Sequence, residues 1–323
     1  FDVREKGRGK RKGNPITGPV ITDENGEPVR EPGACKAVKG IGWFIEEYGV
    51  AQISMNLTNI TVSPLHIVFE EVCKSADQRG LRVTGSELVG LVPLKVLLDA
   101  GKYFLKKQRR STGIAEEEII KIAVKSLGLD ELDHFDPQQK IIEYQLQSAD
   151  NAPLVQMNLR EFANETASES VAPGGGSIAA YVGALGVSLA TMVANLSSHR
   201  RKWDDRWEEF SEVAAEGQHL KNQLLKMVDE DTNAFNQIIT AVRMPKQSDA
   251  EKKARHKAMQ AATKYAIEVP MRVMELALQS FNIIQMMTEK GNPTSVTDAA
   301  VGALCARAAV HGAYLNGALN TGD

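Results

Sequence analysis

The sequence is short of the residues that staple or wire a protein together. Its 323 residues include three cysteines, Cys35, Cys73 and Cys305, odd in number and far apart. This excludes a disulfide framework and fits reduced thiols, so a cytoplasmic location is expected. The six histidines are equally dispersed, with no HxH or HxxxH pair, and no two cysteines have ligand spacing, so no metal site is expected. The formal net charge is only −3, which gives no electrostatic reason to expect a nucleic-acid partner. There is no GxxxxGK[ST] phosphate loop, and no signal peptide is expected within these residues. Long apolar runs are missing except for Ile178–Leu196, which has no charge but is filled with Ala, Gly, Ser and Thr. Such small residues serve close helix packing, so a bundle helix is expected rather than a membrane span. The first residue is Phe1, and Asp323 follows a strong helical pattern with no closing element, so the chain reads as an internal fragment of a longer polypeptide.

What is present divides into two halves. Residues 1–146 mix strands and helices. Arg4 to Lys12 is a basic arm, and residues 13–33 form a loop rich in Gly, Pro, Asn and Asp. Gly40–Glu46 and Val50–Leu57 are β-rich around a polar turn and predict a hairpin. Ser63-Pro64 predicts a helix start, with Ser63 as N-cap, running to Gly80. A strand is expected at 81–84, helices at 93–106 and 116–127, and a last strand at 141–146. The pattern predicts an α+β subdomain with helices on a mainly antiparallel sheet. Residues 147–153 read as a linker. From 154 to 323 only helices are predicted, at 158–166, 177–196, 204–242 (with an interruption near Gly217), 248–279 (with a kink at Pro270), 283–289 and 297–319. Six helices in that span predict an all-α helical bundle.

Asp231 stands out within this bundle. At about 100° per residue, Leu220, Leu224, Val228, Phe235, Ile238, Ile239 and Val242 share one helix face, and Asp231 falls in its middle. A carboxylate on such a face loses solvation unless it is paired, protonated or wet. Burial raises its pKa toward the range of general acid–base catalysis. The alternative is a structural aspartate bonded to a neighbouring helix. Asp229 and Glu230 are expected to point away as solvated charges. The run Gly174, Gly175, Gly176, Ser177 enters the helix of small residues, where glycines permit close approach and a helix N-terminus favours anions. A plain tight turn is the competing reading. On the last helix, Asp298, Gly302, Cys305, Ala309, Asn316 and Asn320 share a polar, small face beside an apolar one of Val301, Leu304, Ala308, Leu315 and Leu319.

Longer motifs carry a family resemblance. Residues 39–57 (KGIGWFIEEYGVAQISMNL), 85–101 (GSELVGLVPLKVLLDAG) and 140–146 (KIIEYQL) resemble the second subdomain of glutamate formimidoyltransferases. Residues 172–177 (APGGGS), 228–235 (VDEDTNAF), 241–246 (AVRMPK) and the stretch from Asp298 to 311–316 (HGAYLN) resemble cyclodeaminase domains. In this order they resemble the bifunctional formimidoyltransferase-cyclodeaminases of histidine breakdown.

The resemblance implies formimino transfer from formiminoglutamate to tetrahydrofolate. It also implies ring closure of 5-formiminotetrahydrofolate to 5,10-methenyltetrahydrofolate with release of ammonia. It implies no permanently bound cofactor, a tetrahydrofolate polyglutamate as substrate, and a homo-oligomer. The family's transferase histidine belongs to a first subdomain that these residues do not contain, so neither His66 nor His134 takes that role and no transferase activity is expected of the fragment alone. The family's catalytic aspartate is the second Asp of V-D-x-D, here Asp231. Asp298, Asn316 and Asn320 are then candidates for hydrogen bonds to the folate, Gly174–Ser177 for close approach to it, and Arg200, Arg201 and Lys202 for its polyglutamate tail. A methenyltetrahydrofolate cyclohydrolase and a non-catalytic folate-binding or assembly module are the alternatives.

Overall fold

In the computed structural model, residues 1–14, 17–146, 153–201 and 203–321 are described. The expected linker lies outside these residues except for its last position. The chain divides into two units, one of Phe1–Phe104 with Glu116–Leu146, the other of Leu105–Ala115 with Gln147–Asp323.

In the first unit, β1 (Arg8–Gly9) pairs antiparallel with β2 (Arg30–Glu31), and β3 (Val38–Ile45) with β4 (Val50–Leu57). The β3–β4 ladder runs from Val38 opposite Leu57 to Ile45 opposite Val50. Gly49 closes the hairpin with φ +62°, a conformation a side chain would strain. The helices are α1 (Leu65–Asp77), α2 (Leu94–Lys107), α3 (Glu116–Leu127), α4 (Pro137–Lys140) and α5 (Ile142–Leu146). Leu97 and Ala100 of α2 pack with Ile120, Ala123 and Leu127 of α3 and with Ile141. The sheet is smaller than expected, because two of the expected strands do not form. Residues 81–84 are irregular. The 141–146 segment is helical: only Ile141 bridges a strand-like partner, Val92. Six residues do not separate a period of 2 from one of 3.6. Tertiary bonds from the Leu94 amide to Glu143 (2.6 Å) and from the Tyr144 hydroxyl to Glu116 (2.8 Å) accompany the helix. Ser63 does not cap α1; its hydroxyl donates to the Lys36 carbonyl at 2.6 Å, and the helix starts one residue after Pro64.

The second unit is helical. It comprises α6 (Leu159–Thr166), α7 (Gly175–Ser198), α8 (Trp207–Arg243), α9 (Asp249–Lys290), a 3-10 turn (Pro293–Ser295) and α10 (Val296–Thr321). Asn158 with Glu161, and Ser248 with Glu251, form capping boxes that start α6 and α9. Five α-helices replace the expected six among the described residues of 154–321, because α9 continues through Pro270 to Lys290. Pro270 is buried, and its ring lies against the open side of Gly317 on α10. Nor does Gly217 interrupt α8. A Cβ there would lie 2.1 Å from the Thr191 hydroxyl, so the glycine is where α8 meets α7 closely.

The same logic joins α7 to α10. A Cβ at Gly186 would lie 2.8 Å from the Gly302 carbonyl, and one at Gly183 would lie 3.1 Å from Ala309. Among the described residues α7 is the one helix long and apolar enough to cross a membrane, and 61% of its most apolar window is buried inside the bundle. Its small residues are the close-packing side of the fold. The wheel of α10 is therefore divided differently from the expectation. Ala299, Ala306, Ala309 and Ala313 face inward, while Val301, Leu304, Leu315 and Leu319 are exposed. A buried Thr191 with little room to move makes Gly217→Ala a direct test of the close α7–α8 contact. Overpacking here should cost about 1–3 kcal/mol, measured as a lower midpoint in chemical denaturation; an unchanged midpoint would contradict the contact.

Candidate active site

The candidate site forms where α7 begins. The first four N–H groups of a helix lack partners within it. Gly174, the N-cap, has no side chain to supply one. Asp231 supplies it from α8: its Oδ2 accepts the Ser177 amide at 2.9 Å. The fit depends on glycine. A Cβ at Gly176 would lie 2.1 Å from Asp231 Oδ1, so only a bare backbone leaves room for the carboxyl group. Gly175 faces Asn316 of α10 in the same way, with its open side 3.1 Å from Nδ2.

The neighbouring residues of α8 are also engaged. The Val228 carbonyl accepts the Ser177 hydroxyl at 2.8 Å. Asp229 is only 5% exposed and accepts the amides of Leu154 (2.9 Å) and Val155 (3.3 Å). Glu230 accepts the hydroxyl of Tyr265 on α9, and that phenol's pKa is raised by burial and then by the Glu230 contact. The expectation that Asp229 and Glu230 are freely solvated is therefore corrected. The single-face wheel missed them because α8 is covered from several directions. The apolar stripe is also shorter than expected, since Leu220, Leu224 and Val228 are buried but Phe235 and Val242 are exposed.

Burial pushes the Asp231 pKa up, against opposing hydrogen bonds from the Ser177 hydroxyl and amide. The Ser177 hydroxyl is nearer to Val228 O (2.8 Å) than to Asp231 Oδ2 (3.2 Å). Its single proton is thus shared with a nearer acceptor, which weakens its support for the ionised carboxylate. A carboxyl group so placed is suited to exchange a proton with a bound ligand.

The structure brings Gly174, Gly175, Gly176, Ser177, Asp231 and Asn316 together. Asn320 lies on the same end of α10, but its amide donates to the Ala266 carbonyl at 2.8 Å and ties α10 to α9. Asn316 likewise donates to Gly312 O at 2.8 Å. The remaining candidates are not brought to Asp231. Asp298 lies in the first turn of α10, about 27 Å from Asn316 at 1.5 Å per residue. Arg200 and Arg201 follow the far end of the 24-residue α7, about 36 Å from its start by the same rise. Arg200 sits over the Trp203 ring, 4.5 Å from its centroid. Lys202 lies outside the described residues. In the first unit, His66 is buried against Tyr103, with ring centroids 4.6 Å apart, and burial lowers its pKa.

A raised Asp231 pKa has a defined effect on stability. The native state then holds the proton more tightly than the unfolded chain, so the contribution is full at low pH and is lost as pH rises through the raised native value. Asp231→Asn removes this ionisation. Its stability relative to the unsubstituted protein should therefore improve as pH rises from below the ordinary carboxylate range toward neutrality, read from denaturation midpoints at several pH values. A pH-independent difference would contradict the burial.

A family model described as formiminotransferase domain matches residues 1–147, and one described as formiminotransferase-cyclodeaminase matches residues 158–323. A formimidoyltransferase-cyclodeaminase from Gallus gallus is 38% identical over 301 residues, covering 93% of this chain and 56% of the relative. A methenyltetrahydrofolate cyclohydrolase from Methylorubrum extorquens is 33% identical over 158 residues, covering 49% of this chain and 76% of the relative. A glutamate formimidoyltransferase from Streptococcus pyogenes is 39% identical over 74 residues, covering 23% of this chain and 25% of the relative. The chain thus spans about half the length of the bifunctional relatives it matches. With the second model matching more than half of its residues and the first nearly all of the rest, this chain belongs to the formiminotransferase-cyclodeaminase family.

Proposed function

We propose that residues 154–323 form a folate cyclodeaminase that converts 5-formiminotetrahydrofolate to 5,10-methenyltetrahydrofolate and ammonia. Residues 1–146 take part in formimino transfer from formiminoglutamate to tetrahydrofolate. The observation that carries the deaminase reading is the half-buried Asp231 carboxyl group, seated on the glycine-rich start of α7 with its pKa raised by desolvation. In ring closure, folate N10 attacks the carbon of the protonated formimino group (C=NH2+) and loses a proton, leaving an amino group on that carbon. The C–N bond to the terminal nitrogen then breaks, and that nitrogen must gain a proton to leave as ammonia. Asp231 accepts the first proton and delivers it to the departing nitrogen, returning to its starting state. Gly174 and Gly175 offer backbone approach to the ligand, Gly176 and Ser177 seat the Asp231 carboxyl group, and Asn316 offers an amide beside Gly175. We place Asp298, Arg200 and Arg201 outside this seat; a polyglutamate tail would have to run along α7 to meet the two arginines. The free cysteines support a reducing, cytoplasmic setting. The exposed row Val301, Leu304, Leu315 and Leu319 supports a homo-oligomer.

The cyclohydrolase relative favours a second reading, in which water attacks the methenyl carbon and no ammonia forms. One assay separates the two. The purified chain is given 5-formiminotetrahydrofolate, and ammonia and methenyltetrahydrofolate are both followed. Release of ammonia together with the methenyl product is expected, and Asp231→Asn should lower kcat about 10²–10⁴-fold with the fold retained. Hydrolysis of methenyltetrahydrofolate without ammonia release would select the cyclohydrolase. Full turnover by the folded Asp231→Asn variant would overturn the catalytic assignment.

A further inference from the structure

We propose that Asp229 is a positioning residue: by anchoring the Leu154–Val155 backbone to α8 it holds the Val228–Asp231 turn in register with Ser177, and so aligns the reactive carboxyl group. This rests on the deaminase reading of Asp231.

Asp229 is almost completely buried, and its carboxylate is held by two backbone N–H donors rather than by a cation. Leu154 is itself buried, and its amide needs a partner that the turn around it does not provide. Each side therefore meets the other's requirement, and the contact spans 75 residues of sequence. A buried carboxylate that accepts two backbone amides marks a contact whose loss leaves two donors unpaired.

The anchor acts on the reactive group through a short path. The Leu154–Met157 backbone covers one side of a small apolar cavity lined by Leu154, Met157, Phe162, Tyr181, Leu225 and Val228. Tyr181 lies one helical turn beyond Ser177, and Val228 carries the carbonyl that accepts the Ser177 hydroxyl. The cavity wall and the Ser177–Val228–Asp231 contacts are thus built from the same turns of α7 and α8. With the anchor in place, Leu154 seals the back of these turns. Without it, two amides lose their acceptor, the covering segment lifts, and water reaches the Ser177–Val228 bond from behind. Asp231 then loses the fixed alignment that proton transfer requires, although no substrate contact has been removed.

The test uses the whole chain with Asp229→Ala and Asp229→Asn, each checked for folding by circular dichroism. Loss of an orienting partner behind a reactive group typically costs 10–100-fold in activity, so Asp229→Ala should lower kcat by about that factor with KM within about twofold. Asp229→Asn keeps one oxygen for the Leu154 amide and should give an intermediate loss. In the same variants, hydrogen exchange at the Ser177 amide, which is bonded to Asp231 rather than to Asp229, should quicken. A role confined to stability would lower the melting temperature and leave kcat and Ser177 protection as they were, which would overturn the proposal. If Asp229→Ala fails to fold, Asp229→Asn carries the same two readings. If the unsubstituted chain shows no turnover, the deaminase reading falls, while Ser177 exchange still decides whether Asp229 aligns the turn.

Discussion

The hydrogen bond between Asp231 and the Ser177 amide is the contact on which the second half of this protein turns. Helix α7 begins with glycines and has no capping side chain of its own. An uncapped buried helix start leaves N–H groups without partners, and the macrodipole adds positive potential there. A carboxyl group from the neighbouring helix meets both needs. The same group is half-buried, and desolvation raises its pKa. Capping requires proximity to the backbone, and proximity to the backbone brings desolvation.

This contact makes demands on its surroundings. Gly176 must be bare for Asp231 to approach, and Gly217, Gly186 and Gly302 must be bare for α7 to lie close enough to α8 and α10 to hold it there. The unusual composition of α7 follows from these distances. The turn from Val228 to Asp231 then connects in three directions: to α7 through Val228 and Asp231, to Leu154–Val155 through Asp229, and to α9 through Glu230. Asn316 and Asn320 complete the circuit, one beside Gly175 and one bonded to α9. One level of the bundle is therefore cross-linked by polar groups, while large apolar residues such as Phe210, Leu276, Ile283 and Met287 fill the core beyond it.

Local signals in the sequence were legible to the residue. The hairpin strand Val50–Leu57, the helix Glu116–Leu127 and the Asn158 and Ser248 helix starts follow from patterns contained within a turn or two. Asp231 was legible because a charge interrupts an apolar stripe, and the glycines before Ser177 because they precede a helix. Other features depend on contacts distant in sequence. Asp229 looks like a surface charge until Leu154 is placed beside it. The continuity of α9 through Pro270 depends on packing against α10. Asp298 shares α10 with Asn316 and the arginines near 200 follow the end of α7, but helix length, invisible in a wheel projection, separates them from the site. The 141–146 segment satisfies both strand and helix patterns, and its tertiary bonds accompany the helical outcome.

The central claim is that partial burial at the start of α7 raises the pKa of the Asp231 carboxyl group. The most direct measurement is the pH titration of its side-chain carboxyl carbon by NMR, assigned by comparison with the Asp231→Asn protein. A midpoint clearly above the ordinary aspartate range is predicted, falling toward that range on unfolding. A midpoint at or below the ordinary value in the folded protein would contradict the account.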